Sequence, residues 1–215
     1  MPKAVKLTRD FYARPTLTIA RELLGMHLVH LDAGTRRIGR IVETEAYLGP
    51  RDLAAHSSRG RTPRTEVMFG PPGHAYIYFI YGFWNCLNIV TAASGTPHAV
   101  LLRALEPIAG IQGKTAGPGL LCRAMGIDRR LNGIDLCANT LWLEQPLPAR
   151  APPRIAVSPR IGIDYAGAWA QRPWRFFDPA SPCVSGPARL RGAAARAPKR
   201  KVAKPARLKM SESGD

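Results

Sequence analysis

The sequence has few of the features that mark secreted or metal-binding proteins. Its four cysteines, Cys86, Cys122, Cys137 and Cys183, are widely scattered and form no C-x-x-C pair. This spacing argues against a zinc site and a disulfide framework, and it fits a reducing compartment. The sequence has no dense cluster of Asp, Glu and His, and this disfavours a metal-dependent nuclease. We therefore expect no metal and no cofactor.

Long apolar segments are also missing. The longest, residues 75–84, is too short to span a bilayer, and no amphipathic basic helix suits a membrane surface. Residues 1–10 lack the hydrophobic core of a signal peptide. We expect an intracellular protein with no membrane partner, cytoplasmic if its source is a bacterium.

Acidic residues are scarce. The chain of 215 residues has 15 Asp and Glu against 31 Lys and Arg, a formal charge of +16. Residues 188–215 hold nine of the basic side chains and two acids, so the remaining body keeps +9. A polyanion is the expected partner. We predict one folded domain over residues 1–185 and a disordered basic tail over 186–215, because composition after Cys183 collapses to Ala, Pro, Arg and Lys.

Residue patterns predict a mixture of strands and short helices. Strands are expected at 28–31, 38–47, 75–80, 88–91, 98–104, 155–157 and 160–163. Helices are expected at 17–24, 120–125 and 166–172. Residues 49–73 show neither a strand nor a helix pattern and are polar and rich in arginine. A loop of this length inside a compact domain usually has a function.

Aromatic residues are concentrated in one place. Six of the sixteen fall within the nine positions from Tyr76 to Trp84, and three of these six are tyrosines. Flat rings with a polar group are suited to stacking on a nucleic-acid base. The alternative is a buried strand with tyrosines at its ends.

Two acidic residues lie in the strand at 38–47. A two-residue period puts Glu43, Glu45 and Tyr47 on one face. Such carboxylates are usually solvated edge charges. A protein that binds a polyanion keeps an acid in its groove only for a purpose, however, and hydrolysis of a sugar–base bond supplies one. Arg103, flanked by leucines in an apolar strand, needs a carboxylate partner such as Glu45.

Two further polar residues remain ambiguous on the residues alone. His56 is isolated in the sequence, and a lone histidine is more often structural than catalytic. Asn88 is polar where a strand buries an apolar side chain. Its amide either discriminates base edges or satisfies backbone groups.

Four blocks together resemble the alkyladenine, or 3-methyladenine, DNA glycosylase family. They are RIVETEAYLG at 40–49, AAHS at 54–57, YIYFIYGFWNCLN at 76–88 and LLRALEP at 101–107. The similarity runs from Phe11 to about Pro182, with weaker support at 160–163 and 172–173. It implies an α+β fold: a single mixed domain with a curved, largely antiparallel sheet and flanking helices.

The resemblance also implies a role for each matched residue. Glu45 corresponds to the general base that activates water, and Arg103 to its partner near the carboxylate and water. Tyr47, His56 and Tyr78 correspond to the side chains that sandwich the extruded base. Tyr81 corresponds to the residue that fills the gap in the duplex, and Asn88 to the one that crowds the 2-amino group of guanine. Phe83 and Trp84 are bulkier than in some members of the family, and Ala168 stands where an acid is common.

The expected function is a base-excision repair enzyme. It would flip alkylated or deaminated purines out of double-stranded DNA and hydrolyse the N-glycosidic bond. The matched site positions contain no lysine to form a Schiff base, so we expect no strand nicking. We further expect a monomer associated with the nucleoid. The alternatives are a non-catalytic nucleic-acid-binding protein with an aromatic stacking platform and, disfavoured by the charge, a nucleoside hydrolase.

Overall fold

The computed structural model describes residues 4–147 and 153–188. Within them, nine strands form one sheet whose pairings are all antiparallel. The strands are β1 (Val5–Lys6), β2 (His27–Asp32), β3 (Thr35–Leu48), β4 (Ala75–Ile80), β5 (Trp84–Thr91), β6 (His98–Ala109), β7 (Leu141–Gln145), β8 (Ala156–Ser158) and β9 (Arg175–Phe177). The α-helices are α1 (Arg9–Tyr12), α2 (Thr16–Glu22) and α3 (Pro118–Met125). The α+β fold expected from the sequence is confirmed. Of the tail expected at 186–215, residues 189–215 lie outside the described part.

The long strand β3 organises the sheet. Strands run in the order β1-β7-β2-β3-β6-β5-β4, with β9 also paired to β3 and β8 to β9. Because β6 pairs with β3 along one edge, β2 and β9 share the other edge. Residues 43–45 are therefore flanked on both sides, by β6 and by β9. Side chains here cannot be solvated edge residues.

Helices α2 and α3 pack against the sheet to form the main core. Ile19 and Leu23, from α2 and its end, and Leu121 and Met125 from α3 are all fully buried. Helix α3 begins with Pro118, whose missing N–H costs nothing in a first turn. It ends where Gly126 adopts the left-handed conformation, at φ +71°. These helices confirm the predictions at 17–24 and 120–125.

Most strand predictions are confirmed, and two predictions are wrong. Residues 160–163 form a bend rather than a strand, with Gly162 at φ +78°. The stretch at 166–172 is not one α-helix: 3-10 turns cover Asp164–Gln171 and are interrupted at Gly167. Strands β1, β7 and β9, of 2, 5 and 3 residues, were not predicted.

The arginine-rich segment at 49–73 connects β3 to β4 and is mostly irregular chain. It contains two 3-10 turns, His56–Arg59 and Glu66–Phe69. The first turn brings His56 against the tyrosines of β4. In the described part of the chain, no helix has the length and apolar character needed to cross a bilayer.

Candidate active site

A cavity of about 420 Å³ lies where β4, β5 and β6 meet the first turn of α3 and the bend at 160–163. Its lining contains six of the seven site residues expected from the sequence, and Glu45 lies one hydrogen bond behind it. The residues that line it are Tyr47, Ala54, His56, Met68, Tyr76, Tyr78, Ile80, Tyr81, Trp84, Cys86, Asn88, Ala99, Leu101, Arg103, Gly117, Pro118, Gly119, Leu120, Ile161, Gly162, Ile163 and Tyr165. A volume of this size suits a small organic group.

Glu45 is fully buried and held by three hydrogen bonds. Its Oε1 accepts from the Ile161 amide at 2.8 Å, and its Oε2 from the Tyr47 hydroxyl at 2.8 Å and Arg103 Nη1 at 3.2 Å. The amide and the guanidinium can only donate, so this environment suits a carboxylate anion. Because Tyr47, Arg103 and Ile161 all line the cavity, the anion lies directly behind the cavity wall.

Arg103 reaches Glu45 from a bulge in β6. Leu102 pairs with Thr44 and Ala104 with Glu43, which leaves Arg103 as the extra residue between them. Bulges re-aim side chains in this way beside active sites. Burial alone would lower the pKa of Arg103, but the carboxylates of Glu45 and Glu43 outweigh it and raise that pKa above its ordinary value. The expected pairing of Arg103 with Glu45 is confirmed.

Glu43 anchors a second part of the same cluster. Its Oε1 accepts from Arg103 Nε at 3.1 Å, Arg175 Nε at 2.6 Å and Ser185 Oγ at 3.0 Å, and its Oε2 accepts from the Ser185 amide at 2.6 Å. With Glu45, the cluster pairs two buried carboxylates with two guanidiniums. No local pattern in the sequence indicated a role for Arg175.

His56 and Tyr78 form an aromatic wall of the cavity. Their ring centroids are 4.4 Å apart at an interplanar angle of 72°, and His56 Nδ1 lies 2.9 Å from the Tyr76 hydroxyl. Burial, with smaller contributions from Arg64 and Arg59, lowers the pKa of His56 to about 4. The imidazole is therefore neutral at neutral pH.

Tyr47 lines the cavity, and the guanidinium of Arg160 covers one face of its ring at 4.7 Å from the ring centroid. Burial and then the nearby Glu45 carboxylate raise the pKa of Tyr47, so its hydroxyl remains a donor. Arg160 is held in turn by Asp52. In the sequence, Asp52 was not singled out, and Arg160 appeared only within the predicted strand and weaker family match at 160–163. The two residues of this buried pair are 108 positions apart.

Asn88 lies on β5 in the lining of the cavity and is buried. Its Nδ2 donates to the Tyr76 carbonyl at 3.2 Å. The amide therefore satisfies a backbone group while its side chain forms part of the cavity surface. This bond supports the second alternative raised for this residue, and discrimination of base edges stays a prediction.

Tyr81 lies at the tip of the β4–β5 hairpin, at the mouth of the cavity. Its side chain is exposed, with 78% of the residue accessible, and its φ is +53°. Gly82 follows at φ +74°. A left-handed conformation in a bulky residue costs about 1–3 kcal/mol and is concentrated at functional sites. The hairpin thus holds an aromatic ring out into solvent.

Helix α3 closes the cavity through a contact that the sequence did not indicate. A Cβ on Gly119 would lie 2.6 Å from the Trp84 ring, so only glycine allows this approach. The guanidinium of Arg123 covers the same ring at 5.0 Å from its centroid. Trp84 is thereby fixed in the cavity lining.

The chain matches the family profile described as "Methylpurine-DNA glycosylase (MPG)" over residues 10–182. The chain belongs to the methylpurine-DNA glycosylase family. This confirms the family resemblance and, with it, the enzyme class, a DNA glycosylase of DNA repair whose substrate is DNA.

Curated relatives of this glycosylase come from both bacteria and an archaeon. A protein of Anaeromyxobacter dehalogenans (strain 2CP-1 / ATCC BAA-258) is 56% identical over 185 residues, covering 85% of this chain and 87% of its own. One of Methanocella arvoryzae is 53% identical over 193 residues, covering 83% and 95%. One of Legionella pneumophila (strain Corby) is 52% identical over 182 residues, covering 84% and 98%. Each carries the name "Putative 3-methyladenine DNA glycosylase".

Proposed function

We propose that this glycosylase extrudes alkylated or deaminated purines from duplex DNA and hydrolyses the N-glycosidic bond without cutting the strand. One observation carries most of this proposal. The Glu45 carboxylate, buried and bound by three donors, lies directly behind an aromatic cavity. An acid in that position inside a strongly cationic protein needs a chemical reason.

Extraction of the base is assigned to the hairpin tip. Removing a nucleotide from a duplex costs a few kcal/mol, and damage or mispairing reduces that cost. The exposed ring of Tyr81 can enter the vacated space, where stacking contributes about 1–3 kcal/mol. The exposure of the ring in the unbound protein suits this role, because the ring already lies outside the protein before DNA binds.

Capture of the base is assigned to Tyr47, His56 and Tyr78. All three rings line the cavity, and a purine that carries a positive charge stacks well on electron-rich aromatic faces. The low pKa of His56 keeps the imidazole neutral, so it does not repel such a base. To Asn88, which lies in the cavity lining, we assign the crowding of the 2-amino group of undamaged guanine, which would help to exclude the normal base.

Hydrolysis is assigned to Glu45 and Arg103. As the glycosidic bond breaks, its electron pair leaves with the purine and the sugar becomes a cationic oxocarbenium ion, which the Glu45 anion stabilises. A cationic purine leaves as the neutral base, whereas a neutral purine must also take up a proton from solvent. The same carboxylate accepts a proton from the attacking water. Arg103 donates to Glu45 at 3.2 Å and fixes its orientation, and its own second partner, Glu43, keeps it in place.

Cleavage of the strand is not expected. Among the described residues that line the cavity there is no lysine whose amine could form a Schiff base with the sugar. The product is then an abasic site in intact DNA. We propose a monomer that acts on the nucleoid, with the charge of +16 supplying sequence-independent attraction to phosphates.

A base-release assay tests this function. Duplexes with 3-methyladenine, 7-methylguanine, hypoxanthine or ethenoadenine are incubated with the protein in EDTA, and free base and strand breaks are measured separately. The expected result is release of free base, with strand breaks only after hot alkali. Breaks without alkali would contradict the proposed monofunctional reaction. Tight DNA binding without release of any of these bases would favour the non-catalytic alternative.

A further inference from the structure

We propose that Asp52 and Arg160 act as a positioning pair behind the active site. The pair holds Tyr47 and Glu45 in place, and it keeps the rear face of Tyr47 electrically neutral so that the front face accepts a cationic purine. This inference rests on the function proposed above.

The two side chains form a bidentate ion pair with no solvent exposure. Arg160 Nη1 lies 2.5 Å from Asp52 Oδ2, and Nη2 lies 2.9 Å from Oδ1. Arg160 also donates to the carbonyls of Ala46 and Trp169, at 2.9 and 3.1 Å. A fully buried, planar pair of this kind fixes the orientation of both groups.

Three segments of the active site converge on this pair. Asp52 accepts from the amide of Leu48, next to Tyr47, at 3.2 Å, and from the amide of Ala54, two residues before His56, at 3.1 Å. On the other side, the residue after Arg160 is Ile161, whose amide donates to Glu45. Movement of the pair would therefore displace both the ring of Tyr47 and the carboxylate of Glu45.

The charge of Arg160 faces the substrate through one aromatic ring. Its guanidinium carbon lies 4.7 Å from the centroid of Tyr47 and 5.0 Å from that of Trp174. A base stacked at about 3.5 Å on the cavity face of Tyr47 would be about 8 Å from this charge. An unpaired guanidinium there would oppose a cationic base but not a neutral one. The carboxylate of Asp52 cancels that effect.

A second ion pair, between the buried Asp178 and the half-buried Arg40, offers a control. Asp178 is 6% exposed, accepts from Arg40 Nη1 and Nη2 at 3.1 Å each, and caps the amide of Ala180 at 3.0 Å. Neither Asp178 nor Arg40 lines the cavity. Asp178→Asn therefore reproduces the loss of a buried carboxylate away from the site.

The test compares Asp52→Asn with Asp178→Asn in single-turnover base release from duplexes with 7-methylguanine, which is cationic, or hypoxanthine, which is neutral. Asp52→Asn should slow release of 7-methylguanine at least tenfold relative to wild type. This factor should be at least five times the factor by which the same variant slows release of hypoxanthine. Asp178→Asn should stay within twofold of wild type on both. Equal slowing of the two lesions by Asp52→Asn, or rates that match those of Asp178→Asn, would overturn the inference.

A second variant and a second signal cover the other outcomes. If Asp52→Asn does not fold, Arg160→Lys replaces it, because lysine keeps the charge and loses the planar pair of donors. Arg160→Lys should slow release of both bases at least fivefold, while Arg40→Lys should stay within twofold of wild type. Equal rates for the two variants would overturn the inference. A wild type that releases no base contradicts the proposed function instead. In that case, the effect of the pair on Tyr47 is measured by NMR of protein labelled with ¹³C at tyrosine Cζ. The chemical shift of the Tyr47 signal should change in Arg160→Lys but not in Arg40→Lys. An unchanged shift in Arg160→Lys would overturn the proposed role of the pair.

Discussion

The hydroxyl of Tyr47 donates a hydrogen bond to Oε2 of Glu45 at 2.8 Å, two residues earlier on the same strand. The two-residue period of β3 puts both side chains on one face, and burial by β6 and β9 brings them into contact. The ring proposed to stack on the base and the carboxylate proposed to activate water are therefore one connected unit.

Tyr47→Phe separates the two functions of this unit. The ring and its stacking are kept, but Glu45 loses one of its three anchors. Single-turnover base release should fall about three- to tenfold, because a less fixed general base reacts less often in the right geometry. Affinity for DNA with the lesion should stay within twofold of wild type. A fall in affinity as large as the fall in rate would argue against this division.

Tyr81→Gly should separate stability from base extraction. Glycine adopts φ +53° without strain, so the variant should unfold at the same temperature as wild type or higher. It lacks the wedge, so the fluorescence change that reports extrusion of ethenoadenine should be largely lost, while affinity for undamaged duplex changes little. Tyr81→Phe keeps the ring and serves as the control that should retain extrusion. Equal loss of extrusion and of non-specific binding would speak against a wedge.

The low pKa of His56 predicts a stability that depends on pH. Because its pKa falls from 6.5 to about 4 in the folded protein, the neutral ring stabilises the fold fully above about pH 6.5, and that contribution is lost as pH falls towards 4. The unfolding free energy of wild type minus that of His56→Gln should therefore shrink between pH 6.5 and 4. Urea titrations at several pH values measure it. A difference that is constant across this range would show that His56 is not desolvated.

Removal of Arg103 should destabilise the protein. Its guanidinium is shared by Glu43 and Glu45, both fully buried, and removing one partner of a buried ion pair costs about 3–5 kcal/mol. Chemical denaturation of Arg103→Met should show a loss of this order. Arg130→Met, which removes an ion pair at a side chain with 88% exposure, is the control and should unfold like wild type. A small effect of Arg103→Met would mean that the cluster is not electrostatically coupled.

Much of the fold and site could be predicted where local pattern and burial agree. The period of β3 placed Glu43, Glu45 and Tyr47 together, and the leucines around Arg103 required a carboxylate partner, which the structure confirms. A role for Tyr81 was indicated only by the family resemblance and not by a local pattern. The chemical roles of all these residues stay predictions.

The remaining features depend on contacts that no local pattern encodes. Residues 160–163 were predicted to form a strand. In the structure the Ile161 amide serves Glu45 instead of a neighbouring strand, and Gly162 turns the chain. Likewise, the ion pair of Arg160 with Asp52 joins positions 108 apart. Only the folded chain brings them together.

The central claim, that Glu45 performs the hydrolysis, is tested most directly by Glu45→Gln in single-turnover base release from duplex DNA with hypoxanthine or 3-methyladenine. Glutamine keeps the size and loses the charge, so the rate should fall about 10²–10⁴-fold while affinity for the same DNA is retained. Glu106→Gln, which changes a carboxylate paired with Arg40 outside the cavity, should release base at the wild-type rate. A Glu45→Gln enzyme that released base as fast as Glu106→Gln would contradict the account.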